Sequence, residues 1–380
     1  MKRYMLFLAA LGVTLCSYGQ QFWELNPQKA DLTARRIYRT EVVPFDTRHD
    51  AEAGKIEASG YSITFAPKTI AASGEMAIVG QTLEIPYAWT DGVVYLHLEN
   101  VGSAYSLFVN DEPVANVEDP LTPAEFHLTP LIRQGENSLK LILRPSRTPE
   151  INPAPAVERP LFAESYLYYQ EKRSMRDFEL KLIPDSLHRD GVLYLRMVTQ
   201  NAYNYEEQID MGYDIYSPQG KLLDFNIRTI PVPGRSLDTV KFNPFIYHVN
   251  ENRWSASTKA APPIYKVMLF SRRHGAYKEY MPLKIGFGRA RLENGKIVLH
   301  DKVLELKKAP YNAAADKTKT LAEIKALKLK GYNTLCPSYP QPRWFYELCT
   351  EQGLYVIDCP AIAAPENRSD RRVGGTPSND

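Results

Sequence analysis

From residue 303 onward, short apolar runs alternate with helical patterns, and this constrains the fold more than any other feature. Residues 303–308 (VLELKK) form a β-rich run. Residues 318–330 carry Leu321, Ile324, Leu327 and Leu329 at mostly three-residue steps, which predicts a helix. Residues 333–336 (NTLC) follow, then a helical stretch around 344–349, then 354–358 (LYVID), an apolar run closed by a carboxylate. Strands alternating with helices of this length predict a parallel sheet. The pattern reads as the first three of the eight units of a β/α barrel, which works at the C-terminal ends of its strands. A chain ending at Asp380 is therefore expected to hold the opening of a catalytic domain and little of its chemistry.

The amino terminus reads as an address. Lys2 and Arg3 precede an apolar stretch over 5–15, and Ser17-Tyr18-Gly19 offers small residues to a signal peptidase, so residues 1–19 are expected to be a signal peptide. A lipid anchor on Cys16 is the weaker alternative, because Leu15 stands where a small residue is required. No later run approaches the ~20 apolar residues of a membrane-spanning helix. The expectation is an exported protein, periplasmic or at the cell surface. Loss of Lys2 and Arg3 would take the 46 basic residues to 44 against 44 acidic ones, and neither sign clusters, so nucleic acid is excluded as a partner. Of the four cysteines, Cys336, Cys349 and Cys359 all lie in the tail, with no zinc-like spacing, and read as small buried residues.

Between these ends the chain is mostly β. Residues 93–98 (VVYLHL), 106–109 (SLFV) and 138–143 (SLKLIL) are the clearest strands of a β-sandwich over 20–148. Asn110-Asp111-Glu112-Pro113 and Arg133-Gln134-Gly135-Glu136-Asn137 supply turns. A proline-rich connector over 149–173 is too proline-dense at its start for a central strand or helix. A second region, 174–285, repeats the alternation at 177–182 (DFELKL), 192–198 (VLYLRMV), 212–216 and 265–271 (YKVMLFS), and has the size of an immunoglobulin-like sandwich. Residues 286–380 then begin the barrel.

Several phrases carry a family resemblance. Val101-Gly102-Ser103-Ala104, Leu107-Phe108-Val109-Asn110-Asp111, the segment 122–129 (TPAEFHLT) and Gly135-Glu136-Asn137-Ser138-Leu139 together resemble the sugar-binding domain of glycoside hydrolase family 2, the β-galactosidase and β-mannosidase family. Arg253-Trp254-Ser255 with Pro263-Ile264-Tyr265, then Ile285-Gly286-Phe287-Gly288-Arg289, are similar to that family's passage from its immunoglobulin-like domain into the barrel. Tyr339-Pro340, Phe345-Tyr346-Glu347-Leu348-Cys349 and Gly353-Leu354-Tyr355-Val356-Ile357-Asp358 resemble its second helix and third strand. The resemblance implies a jelly-roll-like sugar-binding sandwich, an immunoglobulin-like sandwich and the start of a TIM barrel. It implies hydrolysis of β-galactoside-type O-glycosidic bonds in carbohydrate catabolism, with a carbohydrate as partner.

A retaining glycosidase of this kind uses two carboxyl groups ~5 Å apart. The family holds them on strands later than the third, so no catalytic residue is assigned here and the chain alone is expected to be inactive. Supporting positions also differ. Lys307-Lys308-Ala309-Pro310-Tyr311 stands where the family has Asn-Arg-His-Glu, and Ser338-Tyr339-Pro340 keeps only the Tyr-Pro of Ser-His-Tyr-Pro. Phe162-Ala163-Glu164 replaces Phe-Arg-Asp, and Asp358 with Cys359 to Pro365 replaces the acidic and histidine positions that bind metal. Mg2+ demands oxygen ligands, so no cofactor is expected. The alternative is a non-catalytic carbohydrate-binding or scaffold protein.

Three residues are candidates for substrate contact. Asp358 would sit at a barrel mouth or else act as a turn carboxylate. Tyr339 and Trp344 would stack on a sugar face or else pack helices. His97 is expected to face solvent or a neighbouring strand, and Tyr166 and Tyr168 suit a sheet as well as a sugar. Glu347 and Glu351, four apart on a helix, read as a solvated face. The oligomeric state is left open.

Overall fold

The structure is a computed structural model describing residues 36–37, 42–56, 59–118, 122–146, 160–183, 191–247, 249–256, 261–288 and 290–358. The signal peptide, Cys16, residues 149–159 of the proline-rich connector, Arg289 and Cys359 to Pro365 lie outside these residues, and the rest of the connector expected over 149–173 is corrected, since it holds the strand Tyr166–Glu171 of the first unit.

The first unit is two facing antiparallel sheets of five strands each. One has the order Arg36–Ile37, Ala124–His127, Gly92–Leu98, Tyr166–Glu171, Ser62–Thr64. The other has the order Lys68–Ser73, Met76–Ile85, Gly135–Arg144, Ala104–Val109, Glu112–Val117. Alternation along each strand sends Leu96, Phe126 and Leu167 from one sheet against Val79, Leu107 and Leu141 from the other, in one continuous core. Fully burying such a side chain stabilises the fold by about 1.5–3 kcal/mol.

Two of the resemblance phrases prove to be turn machinery. Asn110 (φ 51°) and Asp111 (φ 66°) both take left-handed backbone, which a two-residue hairpin turn between Val109 and Glu112 requires. The Asn137 amide donates to the carbonyls of Arg133 (2.7 Å) and Gly135 (2.8 Å) and accepts from the Arg133 N–H (3.0 Å) and the Asn110 amide (2.9 Å). Asn137→Ala should leave several buried groups unpaired and cost about 2–3 kcal/mol in denaturant unfolding.

The second unit packs the sheet Arg173–Ile183, Val192–Asn201, Ser236–Phe242 against the sheet Leu222–Val232, Glu207–Tyr216, Tyr265–Arg273, Ala276–Ile285. Their shared core includes Leu195, Met197, Tyr213 and Leu269, and also Val42 from far upstream. The 42–56 segment therefore serves the second sandwich, a crossing that the linear division at 148 does not anticipate. Its short helix Arg48–Ala53 is fixed there by Arg48, whose guanidinium pairs with Asp214 (3.0 Å).

The outer face of the Gly92–Leu98 and Tyr166–Glu171 strands is buried against this second unit. Tyr95 donates to Gln200 (3.2 Å), Tyr61 to the Lys278 carbonyl (2.9 Å), and Gln170 to Glu279 (3.1 Å). The solvent-facing reading of His97 fails here, since His97 is 2 % exposed and stacks on Tyr166 at 5.0 Å. Tyr166 and Tyr168 are likewise buried.

An antiparallel meander, Ala290–Glu293, Lys296–Leu299 and Lys302–Val303, leads to three parallel strands, Lys308–Pro310, Thr334–Cys336 and Tyr355–Val356. Helices Lys317–Leu329 and Arg343–Gln352 fill the two crossovers. The strand expected at 303–308 is displaced: Val303 ends the meander opposite Val298, and the first parallel strand begins at Lys308. The alternation of half-buried Leu304 and Leu306 with exposed Glu305 and Lys307 suits a one-sided connector. In the strand that does join the parallel sheet only the central Ala309 is buried, between exposed Lys308 and Pro310. In the first helix Ile324 is fully buried while Leu329 is 88 % exposed, because a two-residue step from Leu327 turns it to the opposite face. Gly353 (φ 69°) terminates the second helix in the left-handed conformation.

Trp254 ties this β/α unit to the second sandwich. Its backbone N–H donates to the Phe287 carbonyl (2.8 Å), its indole N–H donates to the Thr350 carbonyl (2.9 Å), and its ring meets Tyr355 edge-on at 5.3 Å. Lys284 pairs with Glu351 (2.6 Å), and Arg343 donates to the Pro282 carbonyl (3.3 Å). Among the described residues no helix is long and apolar enough to cross a membrane.

Candidate functional site

The C-terminal ends of the three parallel strands converge on a polar network. After the first strand, Asn312 donates to Ser338 Oγ (2.9 Å) and accepts from the Ser338 N–H (2.9 Å), joining the first strand end to the second. Gln341, buried just before the second helix, accepts from the Ala313 N–H (2.8 Å) and donates to the Tyr339 carbonyl (2.7 Å). Tyr346 completes the chain. Its hydroxyl accepts from the Gln341 N–H (3.1 Å) and donates to Asp358 Oδ1 (2.7 Å) at the third strand end. Tyr346→Phe should strand the Gln341 N–H and loosen Asp358, lowering stability by about 1–3 kcal/mol in a thermal melt.

The three candidates from sequence fare differently. Asp358 lies half-buried at the third strand end with its carboxylate held by Tyr346. Tyr339 is 3 % exposed, so its ring is not available for stacking on a sugar, and that expectation is corrected. Trp344 sits in the first turn of its helix, half-buried, and turns away from the strand-end network into a separate cleft. Gln341 is not singled out by the sequence, and Tyr346 stands only within a resemblance phrase, since holding a partner twelve positions away leaves no local pattern.

The separate cleft, about 420 Å³, lies where the two sandwiches and the β/α unit meet. Its lining includes His97 and Tyr166 from the first sandwich, Tyr216 from the second, and Lys317 and Trp344 from the helices. At its floor His97 lies between Glu99 (3.5 Å) and Glu125 (3.9 Å), and Tyr168 donates to Glu125 (2.8 Å). Along its wall Arg343 and Glu347 form an i, i+4 pair at 2.9 Å. Glu347 is thus half-buried in the cleft wall, which corrects the solvated-face reading for it, whereas Glu351 keeps a surface ion pair with Lys284. Within the β/α unit, burial pushes the Cys349 thiol well above its ordinary range, which suits an inert packing residue.

This arrangement superimposes on parts of solved glycosidases. A glycosyl hydrolase family 2 member from Bacteroides cellulosilyticus DSM 14838 superimposes with a TM-score of 0.61 at 15 % identity, over 75 % of this chain and 40 % of that one. The β-D-mannosidase of Dictyoglomus thermophilum gives 0.60 at 14 %, over 74 % and 40 %. Residues 23–150 match the family model for the glycosyl hydrolases family 2 sugar binding domain. The β-galactosidase of Priestia megaterium is 26 % identical over 287 residues, 71 % of this chain and 27 % of that protein. The β-galactosidase of Streptococcus thermophilus is 25 % identical over 365 residues, 88 % and 34 %. Over residues 23–150 the chain therefore matches the sugar binding domain of glycoside hydrolase family 2, and the rest of it is similar to the amino-terminal part of β-galactosidases. It spans between about a quarter and a third of the length of these curated relatives.

Proposed function

We propose that the protein is of the β-galactosidase type, and that this chain supplies its glycan-contacting scaffold without the hydrolytic pair. In this reading residues 1–19 direct export, 20–148 together with the strand Tyr166–Glu171 form the jelly-roll-like sugar-binding sandwich, and the connector precedes that strand. Residues 174–285 then form the immunoglobulin-like sandwich, and 286–380 open the TIM barrel. One observation carries the proposal. The segments leaving the three described strand ends (Tyr311 and Asn312, Pro337 and Ser338, Ile357 and Asp358) bring a single carboxylate, Asp358, already engaged by Tyr346. Retaining hydrolysis needs two.

The residues present do not fit the family's Mg2+. Asp358 is committed to a hydroxyl, and Cys359 to Pro365 offer one thiol and otherwise alanine, isoleucine and proline side chains where oxygen donors are required. A carbohydrate-binding or scaffold protein with no catalysis at any length of chain is the second reading, favoured by the same lone carboxylate. Calorimetric titration of the protein with β-galactosides, β-glucosides and β-mannosides tests the sugar assignment. Binding should favour the galactosides, and indifference among the three would remove the β-galactoside from the proposal.

A further inference from the structure

The strand Leu222–Val232 is the free edge of the four-stranded sheet in the second sandwich, next to Glu207–Tyr216 on one side only among the described residues. Such an edge offers a row of backbone N–H and C=O groups for pairing. This one also carries apolar side chains in water: Phe225 is 66 % exposed, Leu222 and Leu223 are exposed beside it, and Leu237 at the adjoining edge of the facing sheet is 59 % exposed. Pro231, which has no N–H, limits any ladder to about residues 222–230.

The residue pattern of this edge is self-complementary. Opposite their own neighbours, Asp224 and Arg228 face Ile215 and Met211, whereas Phe225 and Ile227 share the other face beside Asp214 and Gly212. If two copies of the strand pair antiparallel about a two-fold axis at Asn226, Asp224 of each lies opposite Arg228 of the other, and Phe225 opposite Ile227. Directly opposed residues have Cβ atoms about 4.5–5.5 Å apart, close enough for an ion pair and an apolar contact. Each pair occurs twice in an isologous interface. Shifting the register by two residues either way sets Asp224 against Asn226 or Ile230 and breaks both pairings. Arg228 already donates to the Lys241 carbonyl (2.9 Å) and lies over the Phe242 ring at 5.1 Å, which holds its guanidinium at the rim of the sandwich. Its fork of five N–H donors leaves room for a carboxylate. Asp224 is positioned at the same rim by the Tyr213 hydroxyl (2.7 Å).

We propose that this edge joins two copies of the chain, extending the four-stranded sheet across a two-fold axis at Asn226. Sedimentation velocity on the whole 380-residue protein across micromolar concentrations tests it. The wild type should form a concentration-dependent dimer. Asp224→Arg, Arg228→Asp and Phe225→Glu should each weaken it by roughly tenfold or more, while the double exchange Asp224→Arg/Arg228→Asp should restore it. Phe225 is exposed, so Phe225→Glu keeps the test valid should a rim variant fail to fold, as judged by circular dichroism. A wild type that stays monomeric throughout overturns the proposal. So does a dimer indifferent to all three single variants, or a folded double exchange that stays monomeric.

Discussion

Raising the pH from about 4.5 through about 7 should cost the folded protein roughly 3 kcal/mol of stability through one side chain, Glu279. Glu279 is buried on the strand Ala276–Ile285 where the two sandwiches meet. Desolvation pushes its carboxyl up to about 7. The Met175 N–H, the Gln170 amide and the Ser271 hydroxyl oppose this by favouring the charged form, and the nearby Glu171 adds to the rise. In the unfolded chain the group keeps its ordinary value near 4.5 and loses its proton first. The stabilisation is therefore complete below that value and is lost as pH rises through the folded value. Urea unfolding of the wild type should show this slope, and Glu279→Gln, which cannot ionise, should flatten it. An identical slope in the variant would assign the pH dependence to other groups. Because Gln170 ends the first sandwich and Met175 begins the second, Glu279 sits at their junction, and hydration of its charge should loosen that interface first.

The second large effect is expected at Gly286. A Cβ built there would stand 2.4 Å from the Trp254 ring, too close for either to remain. Gly286→Ala should push Trp254 off the Thr350 carbonyl and away from Tyr355, removing the main tie between the second sandwich and the β/α unit. A cost of about 3 kcal/mol or more is expected from overpacking plus the lost contacts. Hydrogen exchange should locate it. The strands Thr334–Cys336 and Tyr355–Val356 should lose protection, while the sheets of the first sandwich keep theirs. Uniform loss across the chain would mean that Trp254 supports all three units together.

How much of this was legible in the sequence depended on distance along the chain. The Asn110-Asp111 turn and the strands around it are local, and turn chemistry with alternation found them. The helices between 317 and 352 were found because a buried stripe repeats at helical spacing. What failed was set by remote partners. His97 could face solvent or a neighbouring strand on its own pattern, and the structure selects the second, stacking it on Tyr166 with Glu99 and Glu125 beside it. Tyr339 looks like a stacking aromatic, and its burial among the strand-end loops is invisible until the parallel sheet forms. The strand start slipped from Val303 to Lys308 because a β-rich run does not say which sheet it joins. Of the strand-end site, the sequence marks Asp358, and it carries Tyr346 within a resemblance phrase without showing that this hydroxyl holds the carboxylate.

As proposed above, this chain is glycosidase scaffold with one carboxylate at its described strand ends where hydrolysis needs two. The most direct test of this is the rate at which the purified, folded 380-residue protein releases nitrophenol from o-nitrophenyl β-galactoside. The account predicts a rate indistinguishable from a protein-free blank. Saturable release that co-purifies with the chain and disappears on unfolding would contradict it.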